Sequence, residues 1–472
     1  MNDIVTSLHG REIGLDARGW LVVRNGIVGI GSNVPGARAD GMSDDAPEIN
    51  ASISVVASLG GGVIRLKEGA TYRINSRLDM ASGVRLEGNN TVIEHNGQPF
   101  RSNALTGGGF EGITFRQVGV SGQGLIQACT RFTIDRCRFE NQVASVALTS
   151  TSNNCRIAFC QFVSGTSSAL ELNGASVTAN DILFNQFTSN VGFGIYVTGG
   201  ANKNLIEGNK TFVNGIELIG ITYDSPQNRV IANHAEGCGD NGISISSQFN
   251  VLTGNVTNGN AFHGLALYGS RNVVSGHSAK NNGTAGAGYA GIVFAAGFGG
   301  CAQLNSVTGG YLDDDQGTPT QAHCLKFNAG GYTAWASSQS ISGAGIYRRN
   351  ANKLYRSTGA GTTGVTAPTH TSGTVSDGAV SWTYIDTFFS TSDEAGGNEI
   401  SAVVLQRFLT SQLQDNTTQK TNKIDGYYRS GASPEGVIPA PVGALAINTA
   451  GSTSTTLYVK TSGTGNTGWT GK

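Results

Sequence analysis

One short pattern constrains this chain more than any other feature: an Asn, a spacer, an aliphatic, a spacer, Gly or Ala, then Asn or His. It occurs as NLIEGN from Asn204, NRVIAN from Asn228, NVLTGN from Asn250 and NVVSGH from Asn272, with looser copies from Arg131, Asn154 and Asn180. The seven starts are 23, 26, 24, 24, 22 and 22 residues apart, the spacing of a repeat architecture. A second segment with alternating apolar residues recurs between copies: SALELN from Ser168, GIYVTG from Gly194, GISIS from Gly242, GLALYG from Gly264 and GIVFA from Gly291. Each turn of the repeat therefore holds at least two short strands and no helix. The aliphatics line up as Ile134, Ile157, Ile182 and Ile206, and a second column contains Phe139, Phe162 and Phe187. A leucine-rich repeat of this length needs a leucine framework and a helix per turn, which are absent. The pattern predicts an all-β fold, a parallel β-helix whose coils stack about 4.8 Å apart, with the Asn residues at polar turns where they take left-handed geometry and bond local backbone.

Composition fits this reading. Gly is abundant at 69 of 472 residues and charge is sparse at 13%, while the net charge of −1 gives no support for nucleic-acid or membrane-surface binding. Seven Cys lack ligand-like spacing; Cys137 and Cys160 occupy matching positions of adjacent copies and read as stacked apolar residues, not a disulfide. The opening MNDIVTSLHGREIG has no apolar signal region and no run is long enough to span a membrane, so cytoplasmic synthesis without membrane insertion is expected.

Along the chain, residues 1–39 read as a lead-in or attachment segment. From Asp40, Ser43, Asp44 and Asp45 are N-cap candidates. Pro47 and Glu48 suit a first turn, and Ile49, Ile53, Val56 and Leu59 share one face of a helix ended by Gly60-Gly61-Gly62. Such a helix would cap the open end of the coils. The motif DG-x-S-DD, then helix, GGG, an aliphatic strand and G-x-TY-x-I resembles the opening of pectate-lyase-like right-handed β-helix proteins, bacteriophage tailspikes in particular. That resemblance covers residues 40–311 and is specific for fold, since the scaffold carries lyases, hydrolases, epimerases and non-catalytic adhesins. It implies a homotrimer, attachment to a phage tail or baseplate protein through the N-terminus, location in the virion tail, and a bacterial surface polysaccharide as partner. It carries over no catalytic residue and implies no cofactor or metal.

The β-helix is expected over residues 40–331, with YLDDD from Tyr311 closing its regular body and Asp313, Asp314 and Asp315 forming a solvated acidic turn. Residues 332–386 read as a small inserted β module whose Trp335, Tyr347, Tyr355, Trp382 and Tyr384 serve its core in preference to stacking on sugars. Residues 387–472 read as a trimerisation and tip region: Ile400, Val403, Val404 and Leu409 on helical spacing within residues 398–413, then two strands, GALAIN and TTLYVK.

Outward residues of equivalent strands form stripes. Aligning the second segments puts Ala147, Glu171, Tyr196, Ser244, Ala266 and Val293 on one stripe. The intervening coil has two registers: GIELIG places Glu217 on the stripe, and GITYD places Thr222 there with Asp224 beside Thr198. Either leaves an acidic pair across Tyr196, about 9–10 Å apart at two coil spacings, which inward-leaning side chains bring into the ~6.5–9.5 Å window of inverting glycoside hydrolysis. Glu171 stands out between Leu170 and Leu172; Glu207 points to a different face and Asp240 shapes a turn. Tyr196, His263 and Tyr268 are candidate sugar contacts. A lyase would need a base and cations, recruited from Tyr196, His234, His263, Arg229 or Arg271, and the stripe with Glu171 has no Lys or Arg. Hydrolysis is therefore the first expectation, with a uronate lyase and a non-catalytic adhesin as alternatives.

Overall fold

The computed structural model describes residues 12–13, 22–24, 27–30, 34, 36–119, 122–328, 330–387, 395–407, 411–417, 421–452 and 455–472. The chain divides into two units, one of residues 1–220 and 224–240, the other of residues 221–223 and 241–472.

The first unit is a parallel β-helix. Thr133, Arg156, Asp181, Leu205 and Arg229 are successive partners in one ladder, and the Ile134–Ile157–Ile182–Ile206 column lies buried beneath them. Each coil holds three strands rather than the minimum of two, because the Phe column sits on a strand of its own. After the strand Arg156–Ala158, Phe159 takes a left-handed φ of +54° and turns the chain into the strand Gln161–Val163. Phe115, Phe139, Phe162 and Phe187 stack face to face at 5.3, 5.0 and 4.9 Å. The column ends at Thr211, whose hydroxyl donates to the Phe187 carbonyl at 3.1 Å.

The repeated asparagines lie at the turns, as expected, but they face inward and bond between coils. Asn180, Asn204 and Asn228 are fully buried, and the left-handed residues are their predecessors Ala179, Lys203 and Gln227. Asn204 Nδ2 donates to the Val177 carbonyl (3.2 Å) and to Asn228 Oδ1 (3.1 Å), while Asn204 Oδ1 accepts from the N–H and Nδ2 of Asn180, both at 3.0 Å. Asn185, Asn209 and Asn233 form a second ladder, and Asn190 and Asn214 a third. Cys155 and Cys160 begin the first two, each giving its backbone N–H to the next coil's asparagine at 2.9 Å. All seven cysteines are free and buried, Cys137 and Cys160 among them.

At the start of the coils, the helix Ala46–Ser58 has Asp45 at its N-cap. The Asp45 carboxylate accepts from the N–H groups of Arg38 and Ala39, and Asp44 Oδ1 accepts from Ala46 N–H. The helix buries Ile49, Ile53 and Val56 and packs against the strands Gly62–Arg65 and Leu78–Asp79. Leu59, expected on that face, lies past the helix and is 45% exposed. The strand Ile27–Ile30 pairs in parallel with Gly62–Arg65.

The second unit is also coiled, and its body does not close at Tyr311. That residue lies inside the strand Ser306–Asp313, which pairs with Glu399–Ser401 and Val404–Leu405, while His323–Phe327 pairs with Ser411–Asp415. The helix expected over residues 398–413 is therefore corrected to strands. Ile400 points inward, Ala402 turns the chain at φ +53°, and Val404 is left 46% exposed; Leu409 lies outside the described residues. Asn398 joins a ladder of Asn250, Asn272, Asn305, Asn398 and Asn422. The acidic turn is not solvated as a whole. Asp313 is buried against Arg407, Asp314 is buried and accepts from the N–H groups of Thr320 and Gln321 at 2.6 Å, and Asp315 pairs with Lys280.

Between these strands, residues 347–387 carry a four-stranded antiparallel sheet. Trp382 and Tyr355 are fully buried in its core, and the indole N–H groups of Trp335 and Trp382 both donate to Asp377 Oδ2. The two terminal strands form as expected, Leu445–Asn448 antiparallel to Leu457–Lys460.

Two outcomes follow from this packing. Asn204→Leu strands polar groups on both neighbouring coils and should cost ~3 kcal/mol or more, read as a lowered urea midpoint, whereas Asn202→Ala at a partly exposed turn should cost far less. His277 is buried against Thr257, and burial pushes its imidazole down to about 3. The unfolded chain therefore binds a proton there below its ordinary pKa near 6.5 while the fold does not. The stability this site contributes is whole above that pH and is lost as pH falls toward 3, by up to ~1.4 kcal/mol per pH unit. His277→Asn should flatten that slope in unfolding measured across the range.

Candidate functional site

In the first unit, the outer face of the second sheet carries a registered row. Arg101, Leu125, Ala147, Glu171 and Tyr196 are successive partners, with Leu170 and Leu172 buried on either side of Glu171. The next position is Gly220, which neither register considered from the sequence supplies. The bonds Gly194 N–H to Glu217 O (2.8 Å) and Ile195 N–H to Leu218 O (2.7 Å) have the same offset as Leu170 N–H to Gly194 O, so Ile219 faces Ile195 and Gly220 faces Tyr196. Glu217 precedes its strand Ile219–Ile221, and Asp224 follows it.

The Glu217 side chain nonetheless reaches the row. A Cβ placed on Gly220 would lie 3.3 Å from Glu217 Oε2 and 2.5 Å from the Phe193 ring, so carboxylate and ring occupy the space a side chain there would fill. Phe193 in turn stacks on Tyr196 at 4.6 Å with 20° between the planes. Glu217 is only 4% exposed. Glu171 is half-buried, and its Oε1 accepts from Asn173 Nδ2 at 2.9 Å. The arrangement places the Glu217 carboxylate over Gly220 beside the Phe193–Tyr196 pair, with Glu171 on the other side of Tyr196; Gly220, the position the carboxylate covers, is two coils from Glu171, roughly 9–10 Å along the row. Asp224 is exposed in a turn four residues beyond Gly220, with the Ser225 hydroxyl donating to its Oδ1 at 3.3 Å, and does not join them.

His263 and Tyr268 belong to the second unit. Tyr268 packs on the outer cluster of Ala266, Val293 and Ala295 and meets the Phe298 ring at 5.0 Å. His263 Nδ1 accepts the Ala290 N–H at 2.9 Å, and burial followed by the charge of Lys326 pushes the ring down to about 3. Among the other bases and cations considered for a lyase, Arg229 and His234 lie on the first sheet, and Arg271 donates to Gln248 Oε1 at 3.2 Å.

The premise that the row holds no cation is corrected by Arg101, three positions before Glu171. Its segment lacks the asparagine pattern, so sequence alignment begins too late to include it. Lys326 was missed for a related reason. It lies on the outer row of the second unit's own second sheet, after Ser244, Ala266 and Val293, beyond the enlarged turns that break the repeat spacing. The outer face of the first sheet offers less: Arg73, Glu94, Arg116 and Glu140 alternate in sign and pair with one another.

Residues 64–212 match the family described as the right handed beta helix region. No curated protein matches the chain. Among solved structures it is similar to the A-module of the Azotobacter vinelandii mannuronan C-5 epimerase AlgE4, at 17% identity and TM-score 0.51, over 62% of this chain and 89% of that one. The A-module of the same organism's AlgE6 is similar at 15% identity and TM-score 0.50, over 81% and 97%. Tailspike protein 3 of bacteriophage CBA120 is similar at 14% identity and TM-score 0.51, over 92% of this chain and 67% of that one. At these identities the likeness is one of architecture, and the architecture is a right-handed parallel β-helix.

Proposed function

We propose that this chain is a phage tailspike that binds and cleaves a bacterial surface polysaccharide, with Glu171 and Glu217 as the acid pair and Tyr196 as a sugar contact. The observation that carries the reading is the Glu217 carboxylate held over Gly220, next in the row to Tyr196 and Glu171. A phage tailspike and two polysaccharide-modifying modules share the architecture, which supports this choice of substrate class. Homotrimer formation, attachment to a tail or baseplate protein through residues 1–39, and location in the virion tail belong to the same reading.

In the proposed reaction, Glu217 gives its proton to the glycosidic oxygen as the bond to the anomeric carbon breaks. Glu171 takes a proton from a water whose oxygen adds to that carbon from the other face. In this assignment the enclosed acid, Glu217 beside the Phe193 ring, is the proton donor. Asn173 orients Glu171, and its half-exposed position gives water access. The row position that the Glu217 carboxylate covers is two coils from Glu171, and a carboxyl gap of ~6.5–9.5 Å across that interval would leave room for this water and give inversion.

Glu171→Gln and Glu217→Gln should each lower release of reducing ends from the host glycan by about a hundredfold or more while binding persists; undiminished release from either variant removes that residue from the mechanism. An ultraviolet-absorbing unsaturated product would assign elimination instead, and binding without shortening of the glycan would assign an adhesin. Tyr196→Ala should act on KM more than on kcat, raising it about tenfold as a stacking contact is lost.

A further inference from the structure

The second unit carries a half-buried cation on its outer face. Lys326 points outward from the strand His323–Phe327, whose Leu325 and Phe327 are buried. Its Nζ donates to the Gly288 carbonyl at 2.8 Å, and among the described residues no carboxylate lies within ion-pair distance of it. Two imidazoles share its surroundings. Ala290 pairs with His323 on one side and, through the bond Gly264 N–H to Ala290 O, faces His263 on the other.

Their hydrogen bonds fix where each proton sits. The Ser411 hydroxyl donates to the Leu413 carbonyl (3.1 Å), so it accepts from His323 Nδ1–H (2.9 Å), leaving a lone pair on His323 Nε2. His263 Nδ1 accepts from Ala290, so its Nε2 carries the proton and can donate. Tyr289 meets the His263 ring edge-on at 5.2 Å and stacks on Phe262 at 4.6 Å, forming an aromatic wall. A partly buried charge left without a counter-ion is costly in a finished structure. Burial lowers the Lys326 amine, and after burial its charge is the next influence lowering both imidazoles, the direction an arriving anion would reverse.

We propose that Lys326 and His263, with His323 alongside, form a subsite for the carboxylate of an acidic sugar, making the glycan this protein binds a uronate-type polymer. A carboxylate has two acceptor oxygens in one plane, enough to take an N–H from Lys326 and one from His263 together. The inference rests on the polysaccharide reading but not on the Glu171 chemistry, because it concerns binding and other residues.

The test titrates the full chain with trigalacturonate and with galactotriose, a neutral trisaccharide, at low and high salt. The acidic probe should bind at least about tenfold more tightly at low salt, and high salt should erode the difference. Lys326→Gln should abolish the advantage and Glu171→Gln should keep it. The ring resonances of His263 and His323 in the unmutated chain give a second readout: trigalacturonate should shift them and galactotriose should not. Equal affinity for the two probes, no binding of the acidic one, an undiminished advantage in Lys326→Gln, or histidine resonances that trigalacturonate leaves in place would each overturn the proposal. A cleavage defect in Glu171→Gln with acidic binding intact would separate this subsite from the catalytic reading.

Discussion

The buried asparagine bonded to its counterpart one coil away is the contact on which the architecture depends. A β-helix coil must turn sharply several times, and each turn interrupts the strand ladder, leaving inward backbone groups without partners. Asparagine resolves this with one side chain. Its carbonyl oxygen takes an N–H from the previous coil while its amide gives protons to a carbonyl and to the next oxygen in line, so a turn such as that at Asn204 is bonded above and below. Stacking also fixes register: a one-residue slip would move Asn204 away from both Asn180 and Asn228. The inward Phe and Ile columns add apolar burial, but the polar ladder sets which residue faces which, and thereby which outward residues meet.

That registration gives the outer faces their distinct characters. On the first sheet of the first unit, acids and arginines alternate from coil to coil and neutralise one another, leaving a solvated wall. On the second sheet the outer row runs from Arg101 through Leu125, Ala147, Glu171 and Tyr196 to Gly220, with fewer charges. A carboxylate in that setting, such as Glu171 above Leu170 and Leu172, meets little local compensation. Gly220 contributes by lacking a side chain, since the space above it is filled from one side by Phe193 and from another by Glu217.

Much of the fold was legible because repetition makes each position testable several times within one chain. The Ile and Phe columns, the stacked cysteines, the capping helix and the terminal strand pair all follow from residues spaced as their geometry demands. The asparagines were legible as turn residues but not as inward ones, because a polar amide at a turn ordinarily faces water and only its counterparts in adjacent coils make burial affordable. The region after Tyr311 misled for a different reason. Ile400, Val403 and Val404 mimic helical spacing when a left-handed corner at Ala402 separates two very short strands, and no local signal distinguishes these cases. The acid pair was half legible: Glu171 and Tyr196 follow from simple alternation, whereas Glu217 reaches the row from outside its strand by bending over a glycine, a path that periodicity does not encode.

The bond between Asn305 and Asn398 spans 93 residues of intervening chain, yet it has the same form as those spanning 24. To the coils, the antiparallel sheet and its tryptophan core amount to one long excursion that leaves a turn and returns to the next. A scaffold closed in this way separates the chemistry of its walls from whatever is spliced into its corners, because the amide bond from Asn305 to Asn398 is made whatever the length of chain between them.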